Sequence, residues 1–478
     1  MGSEIPSHHF HKHDFQEFDR RLRAETSELE QWFANHVFLQ GRTKGGYELE
    51  AWITDKDCRP VPLNDELIKL CHDSHVVPEL AKFNLELNSE PFVLHGDALR
   101  IMHDEFKGHW EKCNTAADSI DTQLVMIGIL PTVTEQELIM ANMSSWQRYR
   151  ALNEQVLRLR QGQPLILDIK GREHLQLSRH DVMLESAATS FQIHLKVNPD
   201  NVARCYNAAR IISAPMVAVS ANSPYLFGKD LWDETRIPLF EQAVALRGYD
   251  DGPCGPVRRV GFGIAYVKES MFECFKENLE CYPVLLPVSI DDDDAEPLAH
   301  LRLHNGTIWR WNRPLIGFNL RGEPHLRLEH RVVAAGPTVV DSIANAAFFY
   351  GLVCAMSEQS PPPEQRLSFA QARSNFYQAA QHGLEAQITW LDGKKVLVKE
   401  LLLHELLPAS RQGLQRLDIS RDDIELYLGI IEDRVRTGQN GAAWQRAYVA
   451  KHGRDMYQLT MSYQGHHRKG DPVHSWPV

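Results

Sequence analysis

The sequence predicts an α+β protein built around a largely antiparallel sheet with one polar face, and three observations predict it. Strand-like and helical segments follow one another irregularly instead of in a βαβ alternation. Four short segments alternate apolar and polar residues, so each would set one side against a core and the other toward solvent or a ligand. Beyond a proline run at Pro361, Pro362 and Pro363 the pattern is mainly helical. With 478 residues, 43% of them apolar and 24% charged, the chain can bury a large core, which argues against disorder.

Composition narrows the function classes. A formal charge of −12 argues against broad nucleic-acid binding, which needs a basic surface, but leaves room for a nucleotide held through a metal ion that inverts the local sign. Met1 to His13 is polar and histidine-rich, and no run of about eighteen apolar residues is present, so neither a secretory signal nor a membrane span is expected. The eight cysteines lack a CxxC pair, which predicts reduced thiols in a cytoplasmic protein and no cysteine-held zinc.

Taken in order, residues 1–14 read as a disordered tail whose histidines (His8, His9, His11, His13) lack support for a metal. Phe15, Phe18, Leu22, Leu29 and Trp32 recur at helical spacing and predict an amphipathic helix covering the sheet. Val156 to Arg160 and Leu165 to Lys170 read as strands about a turn at Gln161 and Gly162, and Asp200 to Ile212 as a helix. The run Asp291 to Asp294 lacks the glycine and alternate spacing of a calcium loop and reads as a solvated loop. Gln359 to Gln365 reads as a stiff connector, which places a body over 15–358 and a helical part over 366–478. In that last part Leu367 to Gln381, Lys399 to Leu407 and Arg421 to Thr437 look helical, either packed on the body or forming a separate unit.

The four alternating segments carry the functional signal. In Gly46 to Ile53, Glu48 and Glu50 share a face. In Phe83 to Phe92, Asn84, Glu86, Asn88 and Glu90 oppose Phe83, Leu85 and Leu87. In Ser190 to Val197, Gln192, His194 and Lys196 oppose Phe191, Ile193 and Leu195, and in His325 to Val333, Arg327, Glu329 and Arg331 oppose Leu326, Leu328 and Val332. Any one of these is what a solvated sheet face looks like. Together they concentrate glutamates that repel unless a cation sits among them. Oxygen ligands with one imidazole suit magnesium or manganese, which bridge nucleotide phosphates, while the arginines suit forked contacts to carboxylate or phosphate.

GYELE (Gly46 to Glu50), PELAKFNLELNSEP (Pro78 to Pro91), FQIHLKV (Phe191 to Val197), SANSPYLFG (Ser220 to Gly228), DETR (Asp233 to Arg236) and HLRLEHRVVAAGPT (His325 to Thr338) resemble, in order, motifs of the glutamate-cysteine ligase family. The resemblance covers about two thirds of the chain. It implies a glutamine synthetase-like catalytic fold, with a curved sheet and helices on one side. It also implies a metal set of Glu48, Glu50, Glu79, Glu86, His194 and Glu329, and Arg331 facing the transferred phosphate. Arg327 and Lys196 would then serve the nucleotide, and Arg236, Asn222 and Tyr225 the substrate, although Pro215 and Pro224 leave Ser220 to Tyr225 equally readable as a structural turn.

The activity so implied is ATP-dependent joining of glutamate to an amine such as cysteine through an acyl phosphate, with Mg2+ or Mn2+ and small-molecule substrates only. ATP rests on the resemblance alone, since no phosphate-binding loop of the G-x-x-x-x-G-K-[ST] kind is present. A different amine acceptor, a metal-dependent hydrolase or phosphotransferase, and an inactive metabolite-binding relative remain as alternatives.

Overall fold

The four alternating segments do assemble into one sheet. The computed structural model describes residues 4, 5, 7–246, 258–290 and 296–478. Five strands come first: β1 (Lys44–Thr54), β2 (Val76–Pro78), β3 (Asn84–Asn88), β4 (Phe92–Val93) and β5 (Gln123–Val125). A hairpin of β6 (Leu165–Lys170) and β7 (His174–Arg179) precedes β8 (Phe191–Val197). The pairs β9 (Tyr225–Leu226) with β10 (Lys229–Asp230), and β11 (Val260–Gly261) with β12 (Trp309–Arg310), are short. The long strands β13 (Asn312–Phe318) and β14 (Pro324–His330) follow, then the small pair β15 (Gln387–Thr389) and β16 (Lys395–Leu397).

The main sheet has eight strands in the order β13-β14-β8-β1-β3-β2, with β4 and β5 also on β1, and every pairing in it is antiparallel. The result is a mixed helix-and-sheet fold with a curled antiparallel sheet, as the sequence predicts.

Helices cover the apolar side. Among the described residues the first nine helices of the chain, not all of them on that face, are α1 (Lys12–Ala34), α2 (Asn64–Cys71), α3 (Ala98–Asp118), α4 (Gln147–Leu159), α5 (Val202–Ser220), α6 (Arg236–Ala243), α7 (Phe272–Cys281), α8 (Ala299–Gly306) and α9 (Val339–Ser357). Tyr47, Leu49, Phe191, Ile193 and Leu195 are buried on this side, and Phe106 of α3 stacks against both Tyr47 and Phe191. Tyr350 of α9 comes closest: its hydroxyl lies 3.1 Å from both the N–H and the carbonyl oxygen of Gly46. A Cβ at Gly45 would meet that hydroxyl at 2.6 Å, so only glycine lets α9 approach β1 so closely. By length and mean hydropathy α9 passes for a membrane span, but 83% of it is buried inside the fold, where it serves as the core helix.

The remaining helices are α10 (Pro363–Arg366), α11 (Phe369–His382), α12 (Val398–Leu401), α13 (Leu407–Arg416), α14 (Arg421–Thr437), α15 (Gly441–His452) and α16 (Met456–Lys469). A π-helical turn at Leu402–Leu406 joins α12 to α13, where Pro408 removes a backbone donor. Helices α13 and α14 lie against α9, and α11 against α5. Arg434 of α14 donates to Asp341 and Asn345 of α9 (2.7 Å each) and to the Val219 carbonyl of α5 (3.1 Å), a buried tie between the last hundred residues and the sheet-covering layer. Asp341 also belongs to the Thr338 cap of α9, so the T-x-x-D signal serves folding.

Several sequence expectations are corrected. Val156 to Leu159 closes α4 and is not a strand; short apolar runs do not distinguish the two periods, and burial of Tyr149, Leu152 and Val156 decides for helix. The proline connector contains one helical turn, because Pro363 sits at a first-turn position that needs no N–H donor. Helix α1 packs on α7 and α8, and Trp32 at its end touches Phe318 of β13, so it flanks the sheet edge instead of covering its face. It begins at Lys12, and ahead of it Ile5 is buried and the His8 ring bonds Gln147 at 2.7 Å, so part of the expected tail is anchored. Cys281 is disulfide-bonded, against the expectation of eight reduced thiols. The aspartate run Asp291 to Asp294 lies outside the described residues.

Candidate active site

Register decides which polar groups meet. Glu50 on β1 faces Glu86 on β3, and Glu48 faces Asn88 on one side and Gln192 of β8 on the other. His194 of β8 faces Glu329 of β14. Directly opposed antiparallel residues share a face, so the four segments converge on one surface. Two three-residue nests result: Glu48, His194 and Glu329, with ligand atoms all within 4.8 Å of one another, and Glu50, Glu79 and Glu86 at the same separation. All six residues of the expected metal set are accounted for. Glu79 arrives from the segment after β2, where its own carboxylate accepts the Leu80 N–H at 3.1 Å.

Both nests are acidic and largely buried. Burial, then the Glu79 charge, pushes Glu50 up to about 7, although its carboxylate accepts from Ser190 N–H (2.7 Å), Ser190 Oγ (2.9 Å) and Gln192 Nε2 (2.8 Å). Burial, reinforced by Glu48 and Glu79, raises Glu86 well above the carboxylate range. Glu79 is also raised, by burial above all. The other nest behaves oppositely. Burial raises Glu329, but Arg313 and Arg331 outweigh it and hold the carboxyl near 2, and the His194 charge likewise holds Glu48 below the ordinary range.

These donors fit divalent cations. Glu48 Oε2, Glu86 Oε2 and both ring nitrogens of His194 are buried without a hydrogen-bond partner. His194 Nε2 lies 3.2 Å from Glu48 Oε1, close enough for an ion pair but not aligned as a hydrogen bond. Unsatisfied buried acceptors cost roughly 1–3 kcal/mol each, and an oxygen-rich set with one imidazole is what magnesium or manganese takes.

Cations of the protein border the nests. Arg331 Nη1 donates to Glu329 (3.0 Å) and Gln192 (2.6 Å), and Arg313 Nη2 donates to Glu329 (2.6 Å). Lys44, Lys196 and Arg327 stand opposite one another across β1, β8 and β14 and form a basic row beside the Glu48 nest. Arg327 Nε has no partner.

A family model described as "Glutamate-cysteine ligase family 2 (GCS2)" matches residues 45–468. The chain belongs to glutamate-cysteine ligase family 2. That is a family of ATP-dependent carboxylate-amine ligases, and the match runs through both nests and the C-terminal helices. Among solved structures, the glutamate-cysteine ligase of Francisella tularensis, in complex with AMP, is similar with a TM-score of 0.54 at 12% identity, over 90% of each chain. At that identity the likeness speaks for the fold. A bifunctional glutathione synthetase from Pasteurella multocida aligns at TM-score 0.48 and 11% identity, over 93% of this chain and 54% of its own. The ligase PafA, in complex with the ubiquitin-like protein Pup, aligns at TM-score 0.41 and 11% identity, over 89% of this chain and 72% of its own. Comparison with curated protein sequences finds no match.

Not every residue that the family resemblance implied reaches the polar face. Arg236 is buried beneath Arg331: its Nε donates to Glu234 (3.1 Å), Nη1 to the Arg331 carbonyl (3.2 Å) and Nη2 to the Val332 carbonyl. Each of its nitrogens thus already serves a protein acceptor. Asn222 donates to the Ala335 carbonyl and to Tyr463 of α16 (2.8 Å each), and accepts from Gln445 of α15 (3.0 Å). The C-terminal helices therefore hold the Asn222 side chain, and Pro215 lies inside α5 instead of framing a loop. Tyr225 is buried on β9, with Asp230 and Arg446 as its charged surroundings. Glu90 falls beyond the end of β3, is exposed, and turns to His75.

Two members of the site escaped sequence reasoning. Glu185, on the turn Met183–Ala187, lines a small cleft with Glu50, Glu79 and Asn84, and burial together with Glu79 and Glu50 raises its pKa well above the usual range. A carboxylate set among Met183, Leu184, Ala187 and Ala188 was the available signal. Arg313 joins because β13 pairs with β14 so that Arg313 faces Glu329, which no local pattern announces.

Proposed function

We propose that this protein phosphorylates the side-chain carboxylate of glutamate with ATP and transfers the resulting acyl group to an amine. The supporting observation is the pair of acidic nests on one sheet face, flanked by Arg331 and by the Lys44–Lys196–Arg327 row. Glu48, His194 and Glu329 would hold one Mg2+ or Mn2+ ion, and Glu50, Glu79 and Glu86 another. Bound there, the ions neutralise phosphate charge so that two anions can approach.

The chain's own groups supply the rest. The basic row receives the polyphosphate, and Arg331, braced by Gln192 and Glu329, aims its guanidinium at the phosphoryl group in flight. A carboxylate oxygen of glutamate attacks the γ-phosphorus, ADP leaves, and an acyl phosphate forms. The amine nitrogen then attacks the acyl carbon, phosphate departs with the bridging oxygen, and the nitrogen loses a proton to give the amide. Glu185, kept protonatable by its buried acidic surroundings, lines the cleft beside the second nest and is our choice for a carboxylate facing the incoming amine. Arg236 acts as the support of the Arg331 backbone.

The test is phosphate and ADP release with L-glutamate, ATP and Mg2+, with and without cysteine and a panel of other amines, together with mass spectrometry of the product. Amine-dependent release with a γ-glutamyl product is expected, and the responding amine identifies the acceptor. Release independent of any amine would replace the ligase with a hydrolase, and silence under all conditions would leave only a binding role.

A further inference from the structure

A third cluster of metal-ligating side chains lies outside the site just described. Helix α2 ends at Cys71, His72 takes a left-handed conformation (φ 46°), and Asp73 makes a tight turn in which its Oδ1 accepts the His75 N–H at 3.1 Å. Helix α3 lies alongside and contributes His109. Asp73 Oδ1 lies 2.9 Å from His75 Nδ1, and Oδ2 lies 2.5 Å from His109 Nδ1. The Asp73 side chain is only 5% exposed.

The His75 ring cannot satisfy both of its neighbours as a neutral imidazole. Its Nδ1 faces Asp73 and its Nε2 faces Glu90 Oε1 at 3.2 Å, and both are carboxylate oxygens. One ring nitrogen of a neutral imidazole carries a hydrogen and the other a lone pair, so either tautomer sets a lone pair against a carboxylate. Two arrangements satisfy both neighbours where they stand: a second proton on the ring, or a cation on Nδ1 with Nε2–H donating to Glu90. The second is the carboxylate–histidine–metal pattern.

We propose that Asp73, His75 and His109 form a separate site for a zinc-class divalent ion, with Glu90 orienting the His75 ring from behind and a water completing the shell. The three ligand atoms all lie within 4.8 Å of one another, and tetrahedral zinc with bonds near 2.05 Å needs them about 3.3 Å apart, a modest side-chain rotation away. Two imidazoles and one carboxylate select zinc-class ions over magnesium, the reverse of the acidic nests. The competing charge is Lys112, 3.4 Å from Asp73 Oδ2 and largely exposed, hence free to swing away.

The site has a route to the catalytic face. The His75 carbonyl accepts the Asn88 N–H at 2.9 Å, and Asn88 Nδ2 donates to Glu86 Oε1 at 2.9 Å. An ion at Asp73 therefore fixes the strand edge from which Glu86 projects.

The experiment uses the full chain saturated with Mg2+, dialysed against Zn2+, with metal content read by atomic emission. Wild type should keep one Zn2+ per chain more than the His75→Ala/His109→Ala double variant, while Glu86→Gln/Glu329→Gln keeps that same ion. Zn2+ should raise the melting temperature of wild type and of the carboxamide variant but not of the histidine variant. Should the histidine variant fail to fold by circular dichroism, the nearly isosteric Asp73→Asn replaces it, with the same loss expected. Equal zinc content in wild type and in the folded histidine or Asp73 variant would overturn the proposal.

Discussion

Replacing Glu50 by glutamine should strengthen the metal-free fold while destroying function, and the two signs together test the acidic-nest reading. Glu50 carries a pKa of about 7 because burial and Glu79 disfavour its charge. Relative to an ordinary value of 4.5, an ionised Glu50 at pH 8 corresponds to roughly 3 kcal/mol of unfavourable free energy. The amide avoids that cost but faces one of the three donors now serving the carboxylate, Ser190 N–H, Ser190 Oγ or Gln192 Nε2, with its own N–H2 group. Losing that bond costs on the order of 1–2 kcal/mol, which leaves a net gain of about 1–2 kcal/mol. For 478 residues the entropy of unfolding is about 1 kcal/mol/K, so the gain amounts to about 1–2 °C in melting temperature. Calorimetry at pH 8 in EDTA would read it, and a repeat with Mn2+ should show a large upward shift in wild type and little in Glu50→Gln. A lower metal-free melting temperature in the variant would refute the repulsion argument, and an undiminished Mn2+ shift would remove Glu50 from the ligand set.

Further predictions follow from the same geometry. Because Glu50, Glu79 and Glu86 bind protons more tightly folded than unfolded, the metal-free protein should lose stability as pH rises from about 4.5 through 7, and Mn2+ should cancel most of that slope; urea midpoints across pH would show it. Arg331→Met should lower kcat by at least about a hundredfold while Arg331→Lys keeps a measurable fraction, since the charge survives but the fork to Gln192 and Glu329 does not; steady-state ADP release separates them. Arg434→Met strands a buried Asp341 and should cost about 3–5 kcal/mol by denaturant titration. Gly45→Ala, which drives a Cβ to 2.6 Å from the Tyr350 hydroxyl, should cost about 1–3 kcal/mol and loosen α9 from the sheet, detectable as faster amide exchange at Gly46.

The sequence showed what lay on each strand face but not what lay beside it. Period-two alternation around Glu48, Glu86, His194 and Glu329 marked the polar face because side-chain direction in a strand is local. Which strands adjoin is non-local, so Arg313 entered unannounced through pairing with Glu329, and Glu185 through a turn that the period could not register. The family resemblance implies substrate roles for Arg236, Asn222 and Tyr225, and in the structure the Glu234 carboxylate takes Arg236 while α15 and α16 take the Asn222 amide. Val156 to Arg160 reads as a strand because its alternation of apolar residues and arginine over five positions is too short to separate period two from the helical period.

Glu48 and Glu50 sit two residues apart on a single strand, one in each nest. The strand repeat makes the backbone itself a ruler, setting the anchor points about 6.6 Å apart along the chain direction. Rotamer changes cannot alter that span, whereas a one-residue insertion between them would throw one glutamate onto the opposite side of the sheet. Spacing between the two charge centres is therefore inherited from peptide geometry, and selection for a different substrate would have to act on the rim around it.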